Sequence, residues 1–127
     1  MEFSKLSIHG YRIAMITSVF RVLTWILLAA TLLLSFAPAS LRPVTGAPRA
    51  VEHFAIFTLF GLAFALGYRA AYLRQACILV LFCGVVEFLQ RFAPGRHARL
   101  VDFAVDAVAS CVGLLVAHLV LKVSVKS

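Results

Sequence analysis

The chain has 127 residues, 63% of them apolar and only 13% charged, and its mean hydropathy is +1.01. A soluble domain is about half apolar and about a quarter charged, so these figures exclude an ordinary water-soluble globule and point to lipid as the solvent. The net charge of +7 does not make a nucleic-acid binder: the twelve Lys and Arg lie scattered between apolar runs and form no dense patch, as basic residues flanking membrane spans do.

Four apolar runs predict an all-α, polytopic membrane protein, one domain over residues 1–127, with four helices in an up-down bundle. The approximate spans are 22–37, 51–68, 73–92 and 100–121. A span takes about 17–25 residues, so the first is slightly short and the others fit. The first run, led by Lys5, Arg12 and Arg21 and followed by Ala37-Pro38-Ala39, has the look of a secretory signal. Its lead is long for one, and it reads as a retained helix. Pro38, Pro43, Gly46 and Pro48 fill the first connection, Arg69 to Arg74 make a tight second one, and Pro94-Gly95 opens the third.

An even number of spans puts both termini on one side. That side carries Lys5, Arg12, Arg21, Arg69, Arg74, Lys122 and Lys126, against Arg42, Arg49, Arg91, Arg96 and Arg99 on the other. The majority favours cytoplasmic termini in a bacterial inner membrane. Trp25, Tyr11, Tyr68 and Tyr72 fall toward the terminal side, as interfacial aromatics do. Cys77, Cys83 and Cys111 have no metal-type spacing and read as small hydrophobes, the first two on different faces of one helix.

The acidic residues carry the functional signal. Four of the five, Glu52, Glu87, Asp102 and Asp106, lie in or beside spans, where an ionisable group costs up to about 2.5–3.5 kcal/mol and needs a partner, water or a purpose. Glu52 and His53 begin the second helix, Glu87 and Gln90 end the third ahead of Arg91 and Arg96, and Asp102 and Asp106 begin the fourth. An up-down bundle brings these three segments to one side, periplasmic in the orientation above. On the fourth helix Asp102, Asp106, Ala109 and Gly113 share an arc of about 60°, so the carboxylates stand above a strip of small residues. Gly61 and Ala65 offer a matching strip on the second. A purely architectural reading stays open beside the functional one: Glu87 with Arg91 and Arg99 with Asp102 have the spacing of intrahelical pairs that bolt helices together. His9, His97 and His118 read as solvent- or headgroup-facing bystanders. His53 reads as a packed, hydrogen-bonded histidine; no pairing of metal-ligand type exists, and neither a metal nor another cofactor is implied.

At these residues the sequence resembles the VanZ-like family of small bacterial membrane proteins. Glu52-His53-Phe54-Ala55-Ile56-Phe57, with Gly61 downstream, resembles the family's K-x-x-H-F-x-x-Y element. Glu87-Phe88-Leu89-Gln90, Pro94-Gly95-Arg96, Asp102, Asp106 and Gly113 resemble its E-x-x-Q-x-x-x-P-G-R … D-x-x-x-N-x-x-G-x-x-x-G signature. The family's Lys falls at Ala50, its Tyr at Phe57, its Asn at Asp106 and its first glycine at Ala109, so this site is more acidic than the pattern. The resemblance implies a cell-envelope role, in a class associated with resistance to the glycopeptide teicoplanin.

Three functions follow as expectations. The first is a non-enzymatic envelope protein that binds a lipid-linked glycan precursor or anionic headgroup at Glu52, His53, Glu87, Gln90, Arg96, Asp102 and Asp106. There Arg96, with Arg91 or Arg99, would hold phosphate or carboxylate, and the acids would accept bonds from sugar hydroxyls. The second is a membrane-embedded hydrolase or transferase using the carboxylates as acid and base or to hold a divalent cation. The third is an accessory subunit of a larger complex, its protein partner unspecified; no broken-helix pair or inverted repeat marks a transporter.

Overall fold

A computed structural model describes residues 2–37, 40, 46–92 and 100–126, with the side chain of Arg49 outside that description. Four helices account for nearly all of it: α1 (Glu2–Phe36), α2 (Arg49–Gly67), α3 (Tyr72–Gln90) and α4 (Leu100–Lys126). Each is long and apolar enough to cross a membrane, and the chain is an all-α, multi-pass membrane protein. Leu59, Leu81, Val85 and Leu115 are among the large apolar side chains exposed on the bundle's outside. In water such a surface would be an aggregation liability; in a bilayer it is the lipid-facing surface.

Helices α2 and α3 fall within two residues of the apolar runs: Pro48 and Gly67 bound α2, the charged turn at Arg69 precedes α3, and Pro94 follows it in the sequence. The helix that holds the first apolar run is longer than the run itself. Rather than beginning near Val22, α1 extends back to Glu2 for 35 residues, about 52 Å. Between Glu2 and Phe36 there is no proline and only one glycine, Gly10, so nothing interrupts the backbone where hydropathy falls. Phe20 and Arg21 still lie against Gly67 of α2, and residues 2–16, about 22 Å of helix, are exposed throughout. Helix α4 also runs past the expected end, carrying Lys122 and Lys126.

The helices alternate in direction and form a ring in which α1 packs on α2, α2 on α4, α4 on α3 and α3 on α1. Helices α2 and α4 run parallel in close contact, as the small residues lead one to expect. A methyl group added at Gly61 would collide with the carbonyl oxygen of Ser110. One added at Gly113 would collide with the carbonyl oxygen of Thr58 and sit 2.8 Å from the Leu62 amide nitrogen. Lipid tails are as apolar as leucine, so such backbone proximity supplies the dispersion attraction that the hydrophobic effect cannot.

The core has two parts. Phe60, Ala65, Leu79, Leu114 and Ala117 fill the half toward the α2–α3 turn, while Phe57, Cys83 and Ala109 pack in the other half. Cys83 is buried and Cys77 exposed, on different faces of α3 as their six-residue spacing requires; Cys111 is half-buried. The inward face of α1 carries hydroxyls: Thr24, Thr31 and Ser35, all buried, lie within about 40° of one another around the helix. Thr24 Oγ1 donates to the Phe20 carbonyl at 2.7 Å, satisfying a group that lipid could not.

Candidate functional site: two polar ends of the bundle

The starts of α2 and α4 and the end of α3 lie at one end of the bundle, and the acidic side chains lie there with them. The best-defined link is between helices. His53 Nδ1 lies 3.0 Å from Asp106 Oδ1, with the Asp106 side chain 1% exposed and that of His53 20%. An ionised carboxylate only accepts hydrogen bonds, so with Asp106 ionised the ring would carry a proton on Nδ1 and donate it. The Nε2 edge is then free of that duty. Phe57, one turn along α2, stacks on the imidazole with centroids 6.2 Å apart and further fixes the ring plane.

Around this pair, Glu87 and Gln90 are buried, and Glu52 and Asp102 are half-buried. Glu87 Oε2, Asp102 Oδ2 and Asp106 Oδ2 are all screened from solvent. Gln90 Nε2 donates to Ser35 Oγ at 3.1 Å, tying the end of α3 to the end of α1. One turn deeper than Asp106, Ser110 Oγ and Cys83 Sγ share a hydrogen bond at 3.6 Å. Four helices thus contribute polar groups to this end, one more than expected. Ser35 was hidden in the first apolar run.

Of the expected site residues, Glu52, His53, Glu87, Gln90, Asp102 and Asp106 stand at this end. Arg96 lies outside the described residues, as do Pro94, Gly95, His97 and Arg99. Arg91 is exposed at the end of α3 while Glu87, one turn back, is buried. Among the described residues no group of three or more His, Cys, Asp or Glu side chains is arranged to hold a metal ion.

The opposite end, at the α2–α3 turn, holds a second polar network that the sequence reading did not find. Gln75, 1% exposed, donates from Nε2 to the Tyr68 carbonyl, and its Oε1 accepts from His118 Nε2 at 2.6 Å. His118 is therefore no bystander. It is half-buried, joins α4 to α3 and meets the Tyr72 ring edge-on at 5.4 Å. Arg21 Nε donates to the Gly67 carbonyl at 2.8 Å, its guanidinium carbon sits 5.0 Å from the Tyr68 ring centroid, and Trp25 Nε1 donates to Tyr68 Oη at 2.7 Å. Arg21 thereby caps the carboxyl end of α2, where the helix dipole favours a cation. The apolar residues Phe60, Leu79 and Leu114 separate the two networks.

No protein-family model matches the chain, and neither a curated protein nor a solved structure does.

Proposed function

We propose that the chain is a bacterial inner-membrane protein of the cell envelope, with both termini cytoplasmic, whose acidic end binds the polar part of a lipid-linked molecule. The ligand class is a lipid-linked glycan precursor or an anionic headgroup, in keeping with the resemblance to the VanZ-like family and its association with glycopeptide resistance. The observation that carries the reading is the pair formed by buried Asp106 and partly exposed His53 among further carboxylates. Several carboxylates gathered at one membrane depth are costly as mere scaffolding, and they suit a ligand rich in hydroxyl groups. Arg96, in the connection between α3 and α4, supplies the guanidinium for phosphate or carboxylate. Native mass spectrometry of the protein in mild detergent is expected to show a retained lipid that Arg96→Ala and His53→Ala lose. Equal retention by the variants contradicts the proposal.

One observation favours a second reading, a membrane-embedded hydrolase or transferase. Asp106 holding His53 through Nδ1 is the arrangement that orients an imidazole as a general base, with Nε2 turned to a substrate proton. Turnover of a lipid-linked substrate, abolished in Asp106→Asn, would establish this reading. Binding without turnover leaves the first.

A further inference from the structure

We propose that a second lipid site lies at the other end of the bundle: an anionic phospholipid with one acyl chain in the groove between α1, α2 and α3, and its phosphate on Arg21 and Arg69. The groove encloses about 280 Å³ between Leu28, Phe60, Phe64, Leu79 and Phe82. Trp25 and Ile78 line it and are themselves 61% and 47% exposed, so it opens sideways onto the lipid-facing surface. An acyl chain enters such a groove without leaving the bilayer.

Charge selects the occupant's headgroup. Trp25 and Tyr68 form one end of the groove, and Arg21 lies against Tyr68. Arg21 uses Nε on the Gly67 carbonyl. Among the described residues its two terminal nitrogens have no acceptor and remain for a phosphate. Arg69, next in the chain to Tyr68, is exposed. No Asp or Glu occurs in residues 3–51, 53–86 or 107–127, so Arg21, Arg69, Arg74, Lys122 and Lys126 share this end with no carboxylate. The one acidic residue on the same side, Glu2, stands about 28 Å along α1 from Arg21. Cations at the membrane surface without internal counterions draw anionic lipid, and a guanidinium flanked by interfacial aromatics fixes where the phosphate sits.

The test uses the full chain, delipidated in neutral detergent and titrated with phosphatidylglycerol or phosphatidylcholine of identical chains, with native mass spectrometry counting bound lipid. Wild type is expected to take one phosphatidylglycerol in preference to phosphatidylcholine by about tenfold or more. Arg21→Gln with Arg69→Gln is expected to abolish the preference. Because Arg21 also caps α2, Arg69→Gln alone is measured too, and it is expected to weaken the preference at an unchanged melting temperature. Ile78→Trp, which fills the groove from its exposed rim, is expected to reduce occupancy by either lipid. Equal occupancy by both lipids in wild type, a preference that survives the double substitution, or wild-type occupancy in Ile78→Trp each overturns the proposal. Because the acidic end is itself proposed to take an anionic headgroup, every titration is paired with one in the Arg96→Ala background, and the preference and its loss in Arg21→Gln with Arg69→Gln are read there, so the two sites stand or fall separately.

Discussion

His53 on α2 and Asp106 on α4 meet through Nδ1 and Oδ1 at 3.0 Å although 53 residues separate them in the chain. The contact exists because α2 and α4 are parallel neighbours with both starts at one end, and because Gly61 and Gly113 let their backbones approach so closely. Removing one partner of a buried pair strands the other. His53→Ala is therefore expected to lower stability by about 3 kcal/mol, the lower end of the usual range because His53 is partly exposed. Asp106→Asn, which keeps an acceptor for Nδ1, is expected to cost about 1 kcal/mol. Thermal unfolding in detergent checks the order: a wild-type melting temperature for His53→Ala would contradict it.

The glycines give a second prediction with its own control. Gly61→Ala and Gly113→Ala place a methyl group against helix backbone, which cannot rotate aside, and each is expected to destabilise by about 1–3 kcal/mol. A methyl group at Gly84 meets only the ring edge of Phe103 at 3.5 Å, ordinary contact, so Gly84→Ala is expected to melt with wild type. Equal losses at all three positions would mean that α2 and α4 are not in backbone contact.

At the other end of the bundle, Gln75 satisfies both halves of its amide inside the protein. Gln75→Leu leaves His118 and the Tyr68 carbonyl short of their partner and is expected to cost about 1–3 kcal/mol. It also releases α3 from α4, so amide hydrogen exchange is expected to rise around residues 68–75. Unchanged exchange there would argue that the network does not hold the turn.

Thiol chemistry separates the three cysteines. With Cys77 and Cys111 replaced by Ala, Cys83, 0% exposed and bonded to Ser110, is expected to resist maleimide in the folded protein and react after denaturation. Rapid modification of the native protein would show that the α3–α4 contact is open.

These features were unequally legible in the sequence. Helix α2 stands between Pro48 and Gly67, and α3 between the charged turn at Arg69 and Pro94, so hydropathy and these breaks delimit both. The polar part of α1 was missed because a helix projecting beyond its span keeps no apolar average, and only the lack of breakers from Glu2 to Phe36 marks it. At the acidic end, Glu52, Glu87, Asp102 and Asp106 were legible because charge in an apolar run is costly and conspicuous, and His53 and Gln90 because they stand beside those carboxylates. Ser35 and Gln75 were not, since Ser35 barely lowers hydropathy, Gln75 stands alone at the start of its run away from any carboxylate, and each owes its role to a partner distant in the chain. His118 was misjudged for the same reason: its partner, Gln75, is 43 residues away. The bland composition of α1 hides a further point. Its inward face carries a stripe of Thr24, Thr31 and Ser35 beside Leu27 and Leu28, which pack against the core, so hydroxyls and leucines meet the bundle together.

The central claim is that α2 and α4 bring their polar starts together at one end of the bundle. It is tested most directly by cross-linking in native membranes. In a chain lacking Cys77, Cys83 and Cys111, His53→Cys with Asp106→Cys is expected to join through a short bifunctional methanethiosulfonate, and His53→Cys with His118→Cys is not. Failure of the first pair to join, or joining of both pairs alike, would contradict the arrangement on which the proposed headgroup site depends.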